Sequence, residues 1–321
     1  MKRLSLLAVA LLVAACGRGP DFGSGFPTAE NVRLEAPESS AQPLSAATAQ
    51  ALQGDLSRFY VLTRGVTVTV NLGVGLVLGL VKTITGFRPT SIDGDTAVWG
   101  PHTGELDPIT WKLSVTEIEP GKYSYKLEGK PRSEGDSAYV TVLSGEHTPS
   151  VDANGDPMKH FGSGQFLLDW DARATLPLPG HEVGTAAVSY SRLEPGANVT
   201  IDVDFTQIRN EAGQLVDASY RFLRMPGQGG EFQFSVDKDE VNSSPVLEHL
   251  SIKSRWSSTG AGRSDVRVTG GDASSPATAN ECWDSSFASQ YLAASWTSDP
   301  AYNYGNEATG CAFPTAEYSN L

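Results

Sequence analysis

The feature that most constrains the fold is a long series of short segments in which apolar and polar residues alternate, beginning near Thr96. In TWKLSVTEIE (residues 110–119), every second residue from Trp111 to Val115 is large and apolar, and the residues between them are polar. Such alternation places apolar side chains on one face of a strand. Turn sequences such as EPGK, DANGDP and LEPGAN separate the segments. The pattern predicts a mainly β fold, an antiparallel meander of about ten to twelve strands. A sheet of this size should curl into a barrel or half-barrel.

Two segments before the meander predict two N-terminal helices packed on or in it. The first is Ser45–Gly65, in which apolar residues recur at helical spacing, with Ser45 as N-cap and Gly65 as the stop. The second is Val66–Gly86, which favours a largely buried helix. Its opening sequence VTVTVNL also fits a strand, and three internal glycines weaken both interpretations. Near the C-terminus, ECWDSSFASQYLAASW (residues 281–296) predicts a short helix.

The first fifteen residues have the composition of a secretory signal. Lys2 and Arg3 precede an apolar run that is too short to remain in a bilayer as a helix, and two alanines follow it. The sequence VAAC, ending at Cys16, resembles the lipobox of bacterial lipoproteins. This resemblance implies cleavage before Cys16 and lipid attachment through its thiol, and Gly17 implies sorting to the outer membrane. The alternative is an ordinary signal peptide followed by an unmodified cysteine.

The sequence therefore predicts three regions: a signal peptide over residues 1–15, a lipidated flexible tether over residues 16–44, and a single β-rich domain over residues 45–321. The tether is predicted because residues 17–43 are rich in Gly, Pro, Ser, Ala and Glu and have no periodicity.

The charge restricts the partners. The formal net charge is −13, and removal of Lys2 and Arg3 with the signal would make it −15. A protein with this much negative charge repels the phosphate backbone of nucleic acids, which argues against nucleic-acid binding. The expected partners are the membrane, through the lipid, an apolar small molecule and another envelope protein.

Three cysteines are present, and two of them, Cys282 and Cys311, remain after Cys16 is assigned to the lipid. In an exported protein we expect these two to form a disulfide. Free thiols and a metal site are the alternatives, but His249, the nearest histidine in sequence, is distant.

No segment has the pattern of a catalytic, cofactor or metal site, so we predict a non-enzyme with no cofactor and no metal. DANGDP resembles the start of a calcium loop but lacks the required glycine and the closing acid, which favours a hairpin turn. Pairs of the form D-x-D could serve a glycosidase or a metal. Alternation instead places two of them on the solvent side of strands: Asp169/Asp171 and Asp202/Asp204.

The order of anchor, tether, helices and meander is similar to that of periplasmic lipoprotein carriers and related lipid-binding lipoproteins. Those proteins have an incompletely closed barrel, lined with apolar residues and plugged by helices. The body also resembles uncharacterised exported bacterial lipoproteins. The resemblance implies an outer-membrane protein that binds or carries a lipid or another apolar ligand. The residues expected to line its cavity are Val70, Val74, Val77, Trp99, Trp111 and Phe166. The alternatives are a structural or assembly lipoprotein that docks proteins on its acidic surface and, less favoured, a hydrolase.

Overall fold

The structure, a computed structural model, describes residues 20–37, 52–180, 182–209, 213–238, 241, 246–273 and 275–321. The side chains of residues 72, 73, 76, 77 and 238 are also outside this description. Cys16, the predicted start of the first helix at Ser45, and the Val77 side chain therefore lie outside the described part of the chain.

The described residues form one antiparallel sheet of fifteen strands, in which every strand pairs with its neighbours in sequence. The strands are β1 (Ser91–Asp93), β2 (Thr96–His102), β3 (Ile109–Glu119), β4 (Lys122–Pro131), β5 (Val140–Val151), β6 (Pro157–Asp169), β7 (Thr185–Arg192), β8 (Val199–Arg209), β9 (Leu215–Met225), β10 (Gly229–Lys238), β11 (Glu248–Ser257), β12 (Gly262–Thr269), β13 (Ala277–Trp283), β14 (Ser289–Ala294) and β15 (Asn303–Tyr304). The predicted antiparallel meander is confirmed, but the predicted count of ten to twelve strands is too low. The sheet is not closed into a barrel, since β1 and β15 remain its two edges.

A long helix, α1 (Arg58–Thr85), bridges distant parts of this sheet. Its N-terminus contacts β13, and the Thr63 hydroxyl lies 2.7 Å from that of Ser254 on β11. Just beyond its C-terminus, the carbonyl of Phe87 accepts a 2.9 Å hydrogen bond from the indole N–H of Trp99 on β2. Because β2 and β13 lie near opposite edges in the strand order, the sheet must curl around the helix.

The prediction of two helices is wrong for the described residues, which contain one helix where two were expected. Residues 52–57 are not helical, Ser57 is the N-cap, and the helix continues through Gly65 to Thr85. A glycine inside a helix costs about 1 kcal/mol relative to alanine. Four side chains on one stripe of the helix are buried in the core, and their burial offsets this cost: Val70, Val74, Leu78 and Val81. The same burial explains why this segment, which is rich in β-branched residues, forms a helix and not a strand.

Buried groups fix the start of α1. The Ser57 hydroxyl accepts a hydrogen bond from the Tyr60 N–H. The fully buried carboxyl of Glu281 on β13 accepts two more, from the N–H groups of Arg58 at 3.2 Å and Phe59 at 2.8 Å. The first N–H groups of a helix have no acceptor within the helix, and here the sheet supplies the acceptor.

The N-terminal segment packs against the body, which contradicts the predicted tether for residues 20–37. The segment contains two 3₁₀ turns, Phe22–Ser24 and Ala29–Val32, and its apolar side chains join the core. The Asn71 side chain on α1 exchanges two hydrogen bonds with the backbone of Leu34, at 2.8 and 2.9 Å. The prediction failed because the segment has few large apolar residues, and their irregular spacing gives no periodic pattern. Four of them are nevertheless buried in the structure: Phe22, Phe26, Val32 and Leu34.

The predicted C-terminal helix is also wrong. Residues 281–296 belong to β13, a tight turn and β14, and Tyr291 pairs with Cys282 across the two strands. The turn holds Phe287 at a left-handed φ of 65°. Apolar residues recur there at helical spacing, but pairing of β13 with β12 and with β14 decides the conformation.

The C-terminal tail covers the outer face of the last strands, the face opposite the core. The sulfur atoms of Cys282 and Cys311 lie 2.02 Å apart, within disulfide bonding distance. Beneath the tail, Arg263 and Asp265 on β12 are fully buried and form an ion pair at 2.6 Å. Arg255 on β11 pairs with the same carboxylate at 2.9 Å, and the Glu317 carboxylate of the tail pairs with Arg255. These contacts order the tail over the sheet.

The remaining described elements are a 3₁₀ turn (Asp136–Ala138) and two short helices, α2 (Trp170–Ala174) and α3 (Glu307–Gly310). Among the described residues, no helix is long and apolar enough to span a membrane.

Candidate ligand-binding cleft

The curled sheet and α1 together leave a cleft of about 860 Å³, which we call the helix cleft. One wall is the N-terminal half of α1, and the other is formed by residues of β8 to β11. The cleft exists because α1 crosses the concave face of the sheet and covers only part of it. The apolar residues of the two walls are Val61, Leu62, Val66, Val68, Val70, Ile208, Val216, Ala218, Tyr220 and Val236.

The floor behind the helix cleft is aromatic. The Tyr220 ring packs edge-on against Phe205 at 5.1 Å and against Phe232 at 6.0 Å between ring centroids. Phe232 in turn stacks on Phe234 at 4.9 Å. Burial raises the pKa of the Tyr220 hydroxyl above its usual value. The group therefore stays neutral, and this part of the cleft carries no charge.

The charged groups that line the helix cleft lie where β8 and β10 end and where β9 and β11 begin. The imidazole of His249 lies 3.0 Å from the carboxylate of Asp237. The Asp217 carboxylate accepts a hydrogen bond from the Gln207 N–H at 2.8 Å. Arg209 donates to the carbonyl of Gly213 at 2.8 Å. The cleft thus has mainly apolar walls and charged groups at one end, its mouth, which is the usual composition of a small-molecule site.

A smaller cavity of about 330 Å³, the tryptophan pocket, lies at the other end of α1. Trp99 and Trp111 line it together with Leu80 and Ile84 of the helix. Phe87 at its edge is 73% exposed, which leaves an aromatic side chain in solvent beside the pocket. The tryptophan pocket is too small to hold more than part of a large ligand.

The residues predicted to line one cavity are distributed over several places. Val70 lines the helix cleft, whereas Trp99 and Trp111 line the tryptophan pocket. Val74 borders a third cavity, of about 670 Å³, between α1 and the N-terminal segment. Phe166 is buried beside Tyr190 and lines a further cavity of about 650 Å³, between β3 and β8. The cleft residues on β8 to β10 were not predicted from the sequence. Alternation gave their inward direction, but it could not show where the helix leaves the sheet uncovered.

The described acidic pairs Asp169/Asp171 and Asp202/Asp204 make local structural contacts. Asp169 caps α2 by accepting from the Ala172 N–H, and Asp171 lies within α2, so the prediction that both occupy one strand face is wrong. Asp202 and Asp204 on β8 form ion pairs with Arg221 on β9 at 3.3 and 2.9 Å. The DANGDP segment forms the turn between β5 and β6, as predicted. The described residues contain no cluster of three or more His, Cys, Asp or Glu side chains suited to a metal ion.

A buried polar pair lies elsewhere in the core. The Nδ1 atom of His147 on β5 is 2.6 Å from the hydroxyl of Tyr190 on β7. Burial lowers the pKa of His147 to about 4, so the imidazole is neutral at pH 7. Burial also raises the pKa of Tyr190 far above its usual value. Both groups are neutral near pH 7, and they link β5 and β7 across the intervening strand β6.

No family model, curated protein or solved structure matched this chain.

Proposed function

We propose that the protein is an outer-membrane lipoprotein, anchored through Cys16, that binds a lipid or another apolar molecule in the helix cleft. The observation that carries this proposal is the cleft itself. Its volume of about 860 Å³ is within the range of about 300–1,000 Å³ that is typical of ligand pockets. Its walls are hydrocarbon and aromatic, so an apolar ligand would leave water on binding, which contributes about 0.8 kcal/mol for each buried methylene.

The polar mouth suits a ligand with one polar end. An acyl chain placed between α1 and the strands would keep its head near Asp217, Asp237 and His249 at the rim. Arg209 lines the same part of the cleft, so both signs of charge are present there and the site accommodates a carboxylate or zwitterionic head.

The first test is to purify the mature protein from a bacterial envelope, record its native mass and extract it with organic solvent. A stoichiometric apolar molecule supports the proposal and identifies the ligand class. A clean ligand-free mass, together with no uptake of a fluorescent fatty acid, contradicts it and favours a protein-docking lipoprotein instead.

The second test uses a matched pair of glycine variants in α1. Gly65 borders the helix cleft, and a Cβ atom placed there meets nothing within 4 Å. Gly65→Phe should therefore fill the cleft and abolish uptake of the fluorescent fatty acid. Gly79 also has free space but is solvent-exposed and away from the cleft, so Gly79→Phe should bind as the wild type does. Equal uptake by the two variants would show that the helix cleft is not the site.

A further inference from the structure

The fold has two distinct ends, because its strands are antiparallel and consecutive. The turns β3–β4, β5–β6 and β7–β8 lie at one end, which we call the hairpin end. The helix cleft lies at the other, where β8 and β10 finish and β9 and β11 begin. The two ends are separated by the length of a strand, roughly 36 Å for eleven residues such as β3.

The N-terminal segment enters the body at the hairpin end. Phe22 packs edge-on against Tyr123 at the start of β4, with ring centroids 6.4 Å apart. A Cβ atom on Gly25 would come within 2.7 Å of Val115 on β3, so the backbone is pressed against the sheet there. Farther along, the Glu35 carboxylate forms ion pairs with Arg192 at the end of β7 and with Arg224 near the end of β9. The segment thus crosses the hairpin end and is held there.

Little chain separates this segment from the lipid-modified residue. Five residues lead from Cys16 to Asp21, and five extended residues reach at most about 17 Å. This is about half the length of the body, so a lipid on Cys16 would keep the hairpin end near the bilayer.

The tips of the hairpins fit such a surface. Each of the three turns has one large apolar side chain that is about half exposed beside it: Ile118, Val151 and Leu193. Exposed acids lie in or beside the same turns, Glu119, Asp152 and Glu194, which would be repelled by anionic lipids. A zwitterionic surface avoids this repulsion.

We propose that the hairpin end lies against a zwitterionic phospholipid surface and that the mouth of the helix cleft faces away from the membrane that anchors the protein. This inference rests on the anchor in the proposed function. Its consequence is that a ligand enters or leaves from the aqueous side of the envelope and not directly from the anchoring bilayer.

The test uses the full-length lipidated protein in phosphatidylcholine vesicles that contain a quencher on some lipid headgroups. Ala153→Cys places a fluorophore in the β5–β6 turn, and Leu106→Cys places one in the β2–β3 loop at the opposite end, where Leu106 is 98% exposed. We expect several-fold stronger quenching at residue 153 than at residue 106. Flotation with the vesicles is measured on the same samples, with Cys16→Ser as the unanchored control.

The outcomes separate the two proposals. If the protein does not float, the anchor is wrong and the orientation falls with it. Equal quenching of the two probes in floating protein, or stronger quenching at residue 106, overturns the orientation alone. A flexible Gly/Ser linker of about 20 residues inserted after Gly17 should reduce the difference between the probes. An unchanged difference would overturn the role of the short link.

Discussion

His147 should make the stability of this protein depend on pH. The residue is 3% exposed, and burial lowers the pKa of its imidazole to about 4, from about 6.5 in an unfolded chain. Between these two pKa values the unfolded chain binds a proton that the folded chain excludes. Stability from this group is therefore present in full above pH 6.5 and is lost as the pH falls toward 4.

The size of the effect follows from the two pKa values. Relative to pH 7.5, the folded state should lose about 2 kcal/mol by pH 5 and about 3 kcal/mol by pH 4. Other groups titrate in the same range. Burial raises the pKa of Glu281, for example, which opposes the trend because protonation of that carboxyl favours the folded state as the pH falls.

A comparison with His147→Phe isolates the histidine. The variant leaves the Tyr190 hydroxyl without its partner, which costs free energy at every pH but adds no titration in this window. Urea unfolding of both proteins at pH 7.5, 6, 5 and 4 gives the difference in unfolding free energy. We expect that difference to shrink by about 2 kcal/mol between pH 7.5 and 5. Parallel profiles for the two proteins would refute the assignment of a depressed pKa to His147.

Three further predictions concern the elements that hold α1 and the C-terminal tail. In urea unfolding, Glu281→Gln should destabilise the protein by about 1–3 kcal/mol, because the amide places its own N–H group against a helix N–H group that needs an acceptor. The control Glu194→Gln, in an exposed turn, should change the unfolding free energy by less than about 0.5 kcal/mol. Leu78→Ala should cost about 2–5 kcal/mol through the cavity it leaves, and a smaller loss in calorimetry would mean that α1 packs loosely. Replacing Cys282 and Cys311 together by Ala should cost about 3–4 kcal/mol for a 29-residue separation, and an unchanged melting temperature would contradict that estimate.

Period-two alternation predicted the antiparallel meander because it is a local property of each strand. From Trp111 onward it identifies which side chains point inward, and the structure buries Trp111, Leu113 and Val115 together. It could not give the number of strands, because short edge strands such as β1 and β15 contain too few residues to show a period.

Distant partners decided the conformation where local patterns were ambiguous. VTVTVNL fits a strand as well as a helix, and the predicted helix is confirmed, because the concave sheet buries Val70 and Val74. Phe22 and Phe26 lie in a segment with the composition of a tether, and contacts with β3 and β4 ordered it.

The sequence by itself determined the fold class, the inward face of most strands and the two cysteines that lie at bonding distance, since these depend on residue type and spacing along the chain. Only the tertiary structure decided where the helix cleft lies, that Glu281 caps α1 across 222 residues from Phe59, and that residues 20–37 cover the hairpin end. These features arise where the curl of the sheet brings remote segments together. No local pattern of residues encodes that curl, because it depends on how all of the strands twist and pack at once.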